Sequence, residues 1–79
     1  MNYKIDHVSE GVLYLINATG KLRALYTPFR VRCTKESIGI PVNTWVFVDA
    51  VYINDLFKIG YLINNNVHPY NHFQITISF

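Results

Sequence analysis

Basic side chains are concentrated in one segment of the chain. Residues 21–35 carry five of the seven lysine and arginine residues and contain no aspartate or glutamate. If Thr27-Pro28 forms a tight turn, two short strands pair there and Arg23 faces Arg32. Like charges across a strand pair cost a few tenths to about 1 kcal/mol, so this arrangement calls for a nearby anion. The predicted anion-binding residues are Lys21, Arg23, Arg30, Arg32 and Lys35.

This basic segment has two interpretations. Within the chain, either Glu10, Glu36 or Asp49 folds over it and neutralises it, or its long side chains extend into water. Alternatively, the segment contacts an external anion, such as nucleic-acid phosphate, an acidic protein segment or an acidic lipid, in a weak and salt-sensitive way. Dedicated nucleic-acid domains usually carry more than the +2 net charge found here, together with exposed aromatic rings for base stacking. Nucleic-acid or polyanion binding is therefore the alternative function.

The side chains that could perform catalysis are few and scattered. Cys33 lies in an alternating strand pattern that points it inward as a small buried residue. His68 and His72 are four residues apart, but Pro69 argues against a helix that would bring both rings to one face. We expect them in a satisfied polar turn. The sequence predicts no enzyme, cofactor or metal, and the weaker alternative is a hydrolase or redox enzyme that uses Cys33 and a histidine.

Composition excludes several classes of protein. The chain has 79 residues, of which 51% are hydrophobic and 15% are charged, and this balance excludes a disordered tail. One cysteine cannot form an internal disulfide. The first residues lack a signal-peptide pattern, and the longest apolar run, 12–16, is far shorter than the roughly twenty residues of a membrane-spanning helix. We expect a cytoplasmic protein without membrane contact.

An apolar–polar alternation with a period of two dominates the chain after Gly11, as the last segment shows, where Phe73, Ile75 and Ile77 alternate with polar residues. Such alternation is typical of strands that have one dry face. Turn residues separate the predicted strands, which are 12–17, 21–26, 29–34, 44–53, 56–63 and 73–79, with a short piece around 67–68. Residues 1–10 are assigned to a helical turn or flexible arm. The prediction is one all-β domain, 11–79, a small and mostly antiparallel barrel of five to six strands.

The middle of this pattern predicts a hairpin with its tip at Asn54-Asp55. Its inner face would then be wholly apolar, formed by Val46, Val48, Ala50, Tyr52, Phe57, Ile59, Tyr61 and Ile63. The opposite face is also mostly apolar. Either the strands bend so that a closed barrel consumes both faces, or the second face packs against another chain. The predicted partner-binding residues on that face are Trp45, Phe47, Val51, Ile53 and Leu62.

The segment 29–75 resembles the small SH3-like β-barrels in the spacing of its predicted strands and of the turn residues between them. A strand at 29–33 is followed by a loop and a second strand at 44–48, and a central strand follows at 58–63. Pro69-Tyr70-Asn71-His72-Phe73 is similar to the short helical turn that precedes the last strand in those domains. The resemblance implies an SH3-like fold, and a five-strand oligonucleotide-binding barrel is the alternative. The leading function predicted is a non-enzymatic module for protein interaction or self-association.

Overall fold

The computed structural model describes residues 3–54 and 58–77, which form nine strands and one short 3₁₀ turn. The strands are β1 (Tyr3–Ser9), β2 (Val12–Asn17), β3 (Leu22–Leu25), β4 (Phe29–Cys33), β5 (Trp45–Val48), β6 (Ala50–Asn54), β7 (Lys58–Ile63), β8 (Asn66–Pro69) and β9 (Phe73–Ile75). The 3₁₀ turn, Tyr70–His72, joins β8 to β9. The predicted all-β class is confirmed. Within these ranges no helix is long and apolar enough to cross a membrane.

The strands pair in three antiparallel sheets, in the orders β1-β2-β3, β5-β4-β9 and β6-β7-β8. The predicted closed barrel of five to six strands is therefore wrong for the described part of the chain. The predicted strand 44–53 breaks at Asp49, whose backbone N–H donates to the Leu62 carbonyl oxygen at 2.8 Å. Because the chain changes direction there, β5 and β6 join different sheets.

The N-terminal segment is a strand rather than the expected helical turn or flexible arm. β1 pairs with β2, and Ser9 lies opposite Val12. The two residues between them, Glu10 and Gly11, both have positive φ, at 53° and 78°. This is the left-handed backbone that a two-residue hairpin turn of the primed type requires, and glycine adopts it readily. The register shifts between Ile5 and His7, which interrupts the alternation by which a strand is recognised.

The central hairpin exists, but its register differs from the prediction. Its predicted tip falls partly outside the described residues. Ala50 pairs with Leu62, where the predicted partner was Ile59, so the register moves by three positions. An odd shift exchanges the two faces of one strand relative to the other. Val51, opposite Tyr61, is consequently buried, whereas Tyr52 is largely exposed.

The predicted basic strand pair is also wrong. β3 pairs with β2 and not with β4, so Arg23 lies opposite Leu15. β4 lies between β5 and β9 in another sheet, where Arg32 is flanked by Trp45 and Gln74. This arrangement avoids placing two arginines opposite each other, which would be unfavourable. The turn at Thr27-Pro28 thus carries the chain from one sheet to the next.

The inner faces of the three sheets form one apolar core. Its fully or nearly buried members are Leu13, Leu15, Phe29, Val31, Cys33, Ile40, Val48, Val51, Tyr61, Ile63, Phe73 and Ile75. Of the eight residues predicted for the inner face of the central hairpin, Val48, Tyr61 and Ile63 are buried, and Val46 and Ile59 are partly buried against the core. The Tyr61 ring packs edge-on against Phe29, with 5.7 Å between ring centroids. Because Phe29, Val31 and Cys33 of β4 point into this core, the alternating side chains Arg30 and Arg32 point outward.

Candidate binding face

The outer surface of the sheet β5-β4-β9 brings together two arginines and two aromatic rings. Phe29, Val31 and Cys33 of β4 point into the core, so the intervening side chains point out. Arg30 lies opposite Phe47, and Arg32 lies opposite Trp45 on one side and Gln74 on the other. We call this surface the aromatic–arginine face, formed by Arg30, Arg32, Trp45, Phe47 and Gln74.

The two arginines of the face are held by neutral groups. The Arg30 guanidinium carbon lies 4.6 Å from the centroid of the Trp45 ring, which is a cation–π contact. Arg32 donates from Nη1 to Asn43 Oδ1 at 2.9 Å and from Nη2 to Gln74 Oε1 at 2.8 Å. Because these partners are neutral, they orient each guanidinium group without neutralising its positive charge.

Neither arginine of the face forms an ion pair within residues 3–54 and 58–77. The ion pair found there joins Asp6 to His7, on β1. For Arg30 and Arg32 this argues against the alternative in which Glu10, Glu36 or Asp49 neutralises the basic segment. The rings beside them are open to solvent, since Trp45 is 44% exposed and Phe47 is 59% exposed. The face therefore presents positive charge and flat apolar surface together.

The five predicted partner-binding residues do not share one surface. Trp45 and Phe47 lie on the aromatic–arginine face. Ile53 is 75% exposed but belongs to β6, in another sheet, and Leu62 of β7 is only half-buried. Val51 is buried, at 4% exposure, so its prediction as a contact residue is wrong. The break at Asp49 is the physical reason, because it changes the residues of β6 that face inward.

The five predicted anion-binding residues are likewise divided. Arg30 and Arg32 lie side by side on β4. Arg23 lies on β3, in the sheet β1-β2-β3, while Lys21 precedes that strand and Lys35 follows β4. A single basic strand pair therefore does not exist. On β4 the two arginines lie beside Phe47 and Trp45, which the sequence analysis assigned to a separate surface.

A buried polar cluster joins Ser37, in the loop after β4, to His68 of β8 and His72 of the 3₁₀ turn, and the sequence did not indicate that Ser37 takes part. The Ser37 hydroxyl lies 2.7 Å from His68 Nδ1 and 3.3 Å from His72 Nδ1. A hydroxyl can donate one hydrogen bond and accept others, so it serves both imidazoles. Ser37 and His68 are both buried, and the His68 ring packs edge-on against Phe73 at 5.8 Å. The satisfied polar turn predicted for His68 and His72 is confirmed.

Two other residues with reactive or stacking side chains have structural surroundings. Cys33 is completely buried, as predicted, and its Sγ lies 3.2 Å from the Lys35 carbonyl oxygen. Tyr14 lies on the outer side of β2 and stacks on the His7 ring, with 4.5 Å between centroids. Neither residue belongs to the aromatic–arginine face.

A cleft of about 520 Å³ opens beside Gln74 and was not predicted. We call it the tyrosine cleft, because Tyr3, Tyr61 and Tyr70 line it. The Tyr3 hydroxyl accepts a hydrogen bond from the Ile75 backbone N–H at 3.0 Å, which ties β1 to β9. Burial raises the pKa of Tyr61 well above its ordinary value, and Tyr3 and Tyr70 raise it further. The Tyr61 hydroxyl therefore stays protonated.

Comparison of the chain with protein-family models, curated proteins and solved structures finds no match. The face, the cleft and the buried cluster are consequently the features from which a function can be inferred. Of these, the aromatic–arginine face alone combines uncompensated charge with exposed rings in the described part of the chain.

Proposed function

We propose that this protein is a non-enzymatic binding module that holds single-stranded nucleic acid on the aromatic–arginine face. The proposal rests on one observation. Arg30 and Arg32 lie beside Trp45 and Phe47 on one exposed sheet surface. Proteins that bind single strands without strong sequence preference combine positive charge along the backbone with aromatic rings on which bases stack. The face supplies both elements.

The spacing of the two rings supports stacking of separate bases. Trp45 and Phe47 are two residues apart on β5 and project to the same side of the sheet. Two residues of a strand span about 6.8 Å, so each ring can hold its own base. Arg30 and Arg32 lie on the neighbouring strand, whose backbone is about 4.8 Å from that of β5, so their guanidinium groups can contact phosphates between the bases.

A second candidate is contact with a protein partner or with another copy of this chain. Tyr52 and Ile53 are exposed on β6, which pairs only with β7 in the described sheet and so forms its edge. Exposed apolar edge strands are templates for pairing with another chain. Trp45 and Phe47 would also suit a protein interface, where aromatic anchors carry most of the binding energy. Sedimentation at several concentrations tests this candidate, and a strict monomer would contradict self-association.

Trp45 allows a direct test of nucleic-acid binding, because it is the only tryptophan of the chain. Its fluorescence is followed while an oligothymidylate of about 12 nucleotides is added at low salt. We expect quenching that saturates and that is reversed by added salt, because base stacking places a ring on the indole. No fluorescence change at any concentration would contradict the proposal.

A matched pair of substitutions makes the test specific for the face. Phe47→Ala removes a stacking ring and should weaken binding by about 5- to 150-fold, which corresponds to roughly 1–3 kcal/mol per stacked base. Tyr52→Ala removes a comparably exposed ring, 48% against 59%, that lies on β6 outside the face. The Tyr52 variant should bind within about twofold of the unaltered protein. Equal losses in both variants would move the binding surface away from the face.

The SH3-like resemblance and the cytoplasmic location stay predictions.

A further inference from the structure

We infer that the tyrosine cleft is a second subsite that takes one further base of the same single strand, with its phosphate on the lysines at the rim. The inference rests on the proposed function and adds a binding position for the same strand outside the aromatic–arginine face. The group assigned to the cleft is a nucleotide, in which an aromatic base is joined to a phosphate. The base matches the aromatic lining residues, and the phosphate matches the lysines.

Gln74 connects the face to the cleft. On the face its Oε1 accepts the hydrogen bond from Arg32 Nη2 at 2.8 Å, and Gln74 is also among the residues that line the cleft. Trp45, Arg32 and Gln74 are register partners on β5, β4 and β9, so they form one row across the sheet. This row is about 10 Å long, and the cleft begins where it ends. A strand stacked on Trp45 therefore has a direct continuation into the cleft.

The lining of the cleft suits a base. Its lining includes the partly exposed Tyr3 and Tyr70, together with the core residues Tyr61 and Phe73. The volume of about 520 Å³ lies in the range of small-molecule sites, roughly 300–1,000 Å³. Asn71 and Gln74 are also lining residues, and side-chain amides carry the hydrogen-bond donors and acceptors that suit the edge of a base.

The charges at the cleft suit a phosphate. Lys4 on β1 and Lys58 on β7 are both exposed, and both are among the residues that line the cleft. Asp6 is the carboxylate among the described lining residues, and its Oδ2 is already bound to His7 Nδ1. Among the described lining residues, two lysines therefore stand against one carboxylate, which contacts an imidazole. The balance favours an anion over a cation.

The test compares ligands that reach the cleft with ligands that do not. Oligothymidylates of about two and about eight nucleotides are titrated against Trp45 fluorescence, because the short one covers only the face. The double variant Lys4→Gln/Lys58→Gln should weaken binding of the longer oligonucleotide by about 10-fold and of the shorter by less than about twofold. The control is Lys21→Gln/Lys35→Gln, which makes the same change in net charge away from the cleft. It should weaken both ligands by less than about twofold.

The outcomes separate this inference from the proposed function. Equal losses in both double variants, or equal affinity for both lengths, would overturn the cleft as a subsite while quenching of Trp45 still supports the face. Absence of quenching with every oligonucleotide would overturn both. An eight-nucleotide ligand with abasic residues outside its two central nucleotides tests the base itself. It should bind more weakly than the full ligand, because it keeps the phosphates and loses the base in the cleft, and binding equal to that of the full ligand would overturn a base in the cleft.

Discussion

The aromatic–arginine face and the Ser37 cluster use polar side chains in opposite ways. In the cluster, His68 and His72 share one serine hydroxyl in a buried site, so their hydrogen-bonding capacity serves the fold. On the face, Arg30 and Arg32 contact neutral groups at the surface, so their charge remains available. Buried polar groups are retained where they are satisfied within the chain. The difference indicates that the cluster positions the loop after β4, whereas the face is suited to a ligand.

The largest expected effect is on stability and comes from the cluster. His68→Ala leaves the buried Ser37 hydroxyl with fewer partners and opens a cavity beside Phe73, so the free energy of unfolding should fall by about 2–4 kcal/mol. Urea unfolding measures this change. The control His7→Ala removes an exposed imidazole and should cost less than about 1 kcal/mol. Equal costs would contradict a structural role for the cluster.

The pH dependence of stability should report the same cluster. Burial, with a smaller contribution from His72, lowers the pKa of His68 below its ordinary value of 6.5. The unfolded chain therefore binds a proton at this residue more readily than the folded chain does. The stabilisation is complete above about pH 6.5 and is lost as the pH falls towards the folded pKa, by at most about 1.4 kcal/mol per pH unit.

Unfolding free energies between about pH 7.5 and about pH 5.5 test this prediction. A His68→Gln variant keeps a polar side chain that does not titrate, so its stability should change less over this range. If it lost stability on acidification as steeply as the unaltered protein, another group would be responsible.

A smaller effect is expected from charge on the face. Arg30→Gln/Arg32→Gln should reduce the slope of log affinity against log salt by about 1.4, because each lost phosphate contact on a single strand contributes roughly 0.7. The free energy of unfolding should change by less than about 1 kcal/mol, since both side chains lie at the surface. Oligonucleotide titrations at several salt concentrations give the slope. An unchanged slope would place the phosphates elsewhere.

The strands themselves were predictable from the sequence to a large extent. The predicted strand 12–17 matches β2, and Phe73 and Ile75 are buried as their alternation with polar residues indicates. Alternation reports which side chains of a strand share a face, because it depends only on the local backbone. It also placed Cys33 inward and Arg30 and Arg32 outward.

The partners of the strands were not predictable in the same way. The run 44–53 is apolar on both faces, so its pattern did not reveal the break at Asp49 or the register of β6. β3 pairs with β2 across the short turn after Asn17, although the turn at Thr27-Pro28 offered an equally local connection to β4. Ser37 lies in a loop without periodicity, and its two histidine partners come from residues more than thirty positions away. Both the aromatic–arginine face and the buried cluster arise from contacts between residues distant in the sequence.

Nuclear magnetic resonance of the labelled protein tests the central claim most directly. The amide and side-chain resonances are recorded during titration with an oligothymidylate at low salt. We expect the largest shifts at the Trp45 indole N–H and at the amides of Arg30, Arg32 and Phe47, with little change at Ser37 and His68. Shifts centred on Tyr52 and Ile53, or no shifts at all, would contradict nucleic-acid binding on the aromatic–arginine face.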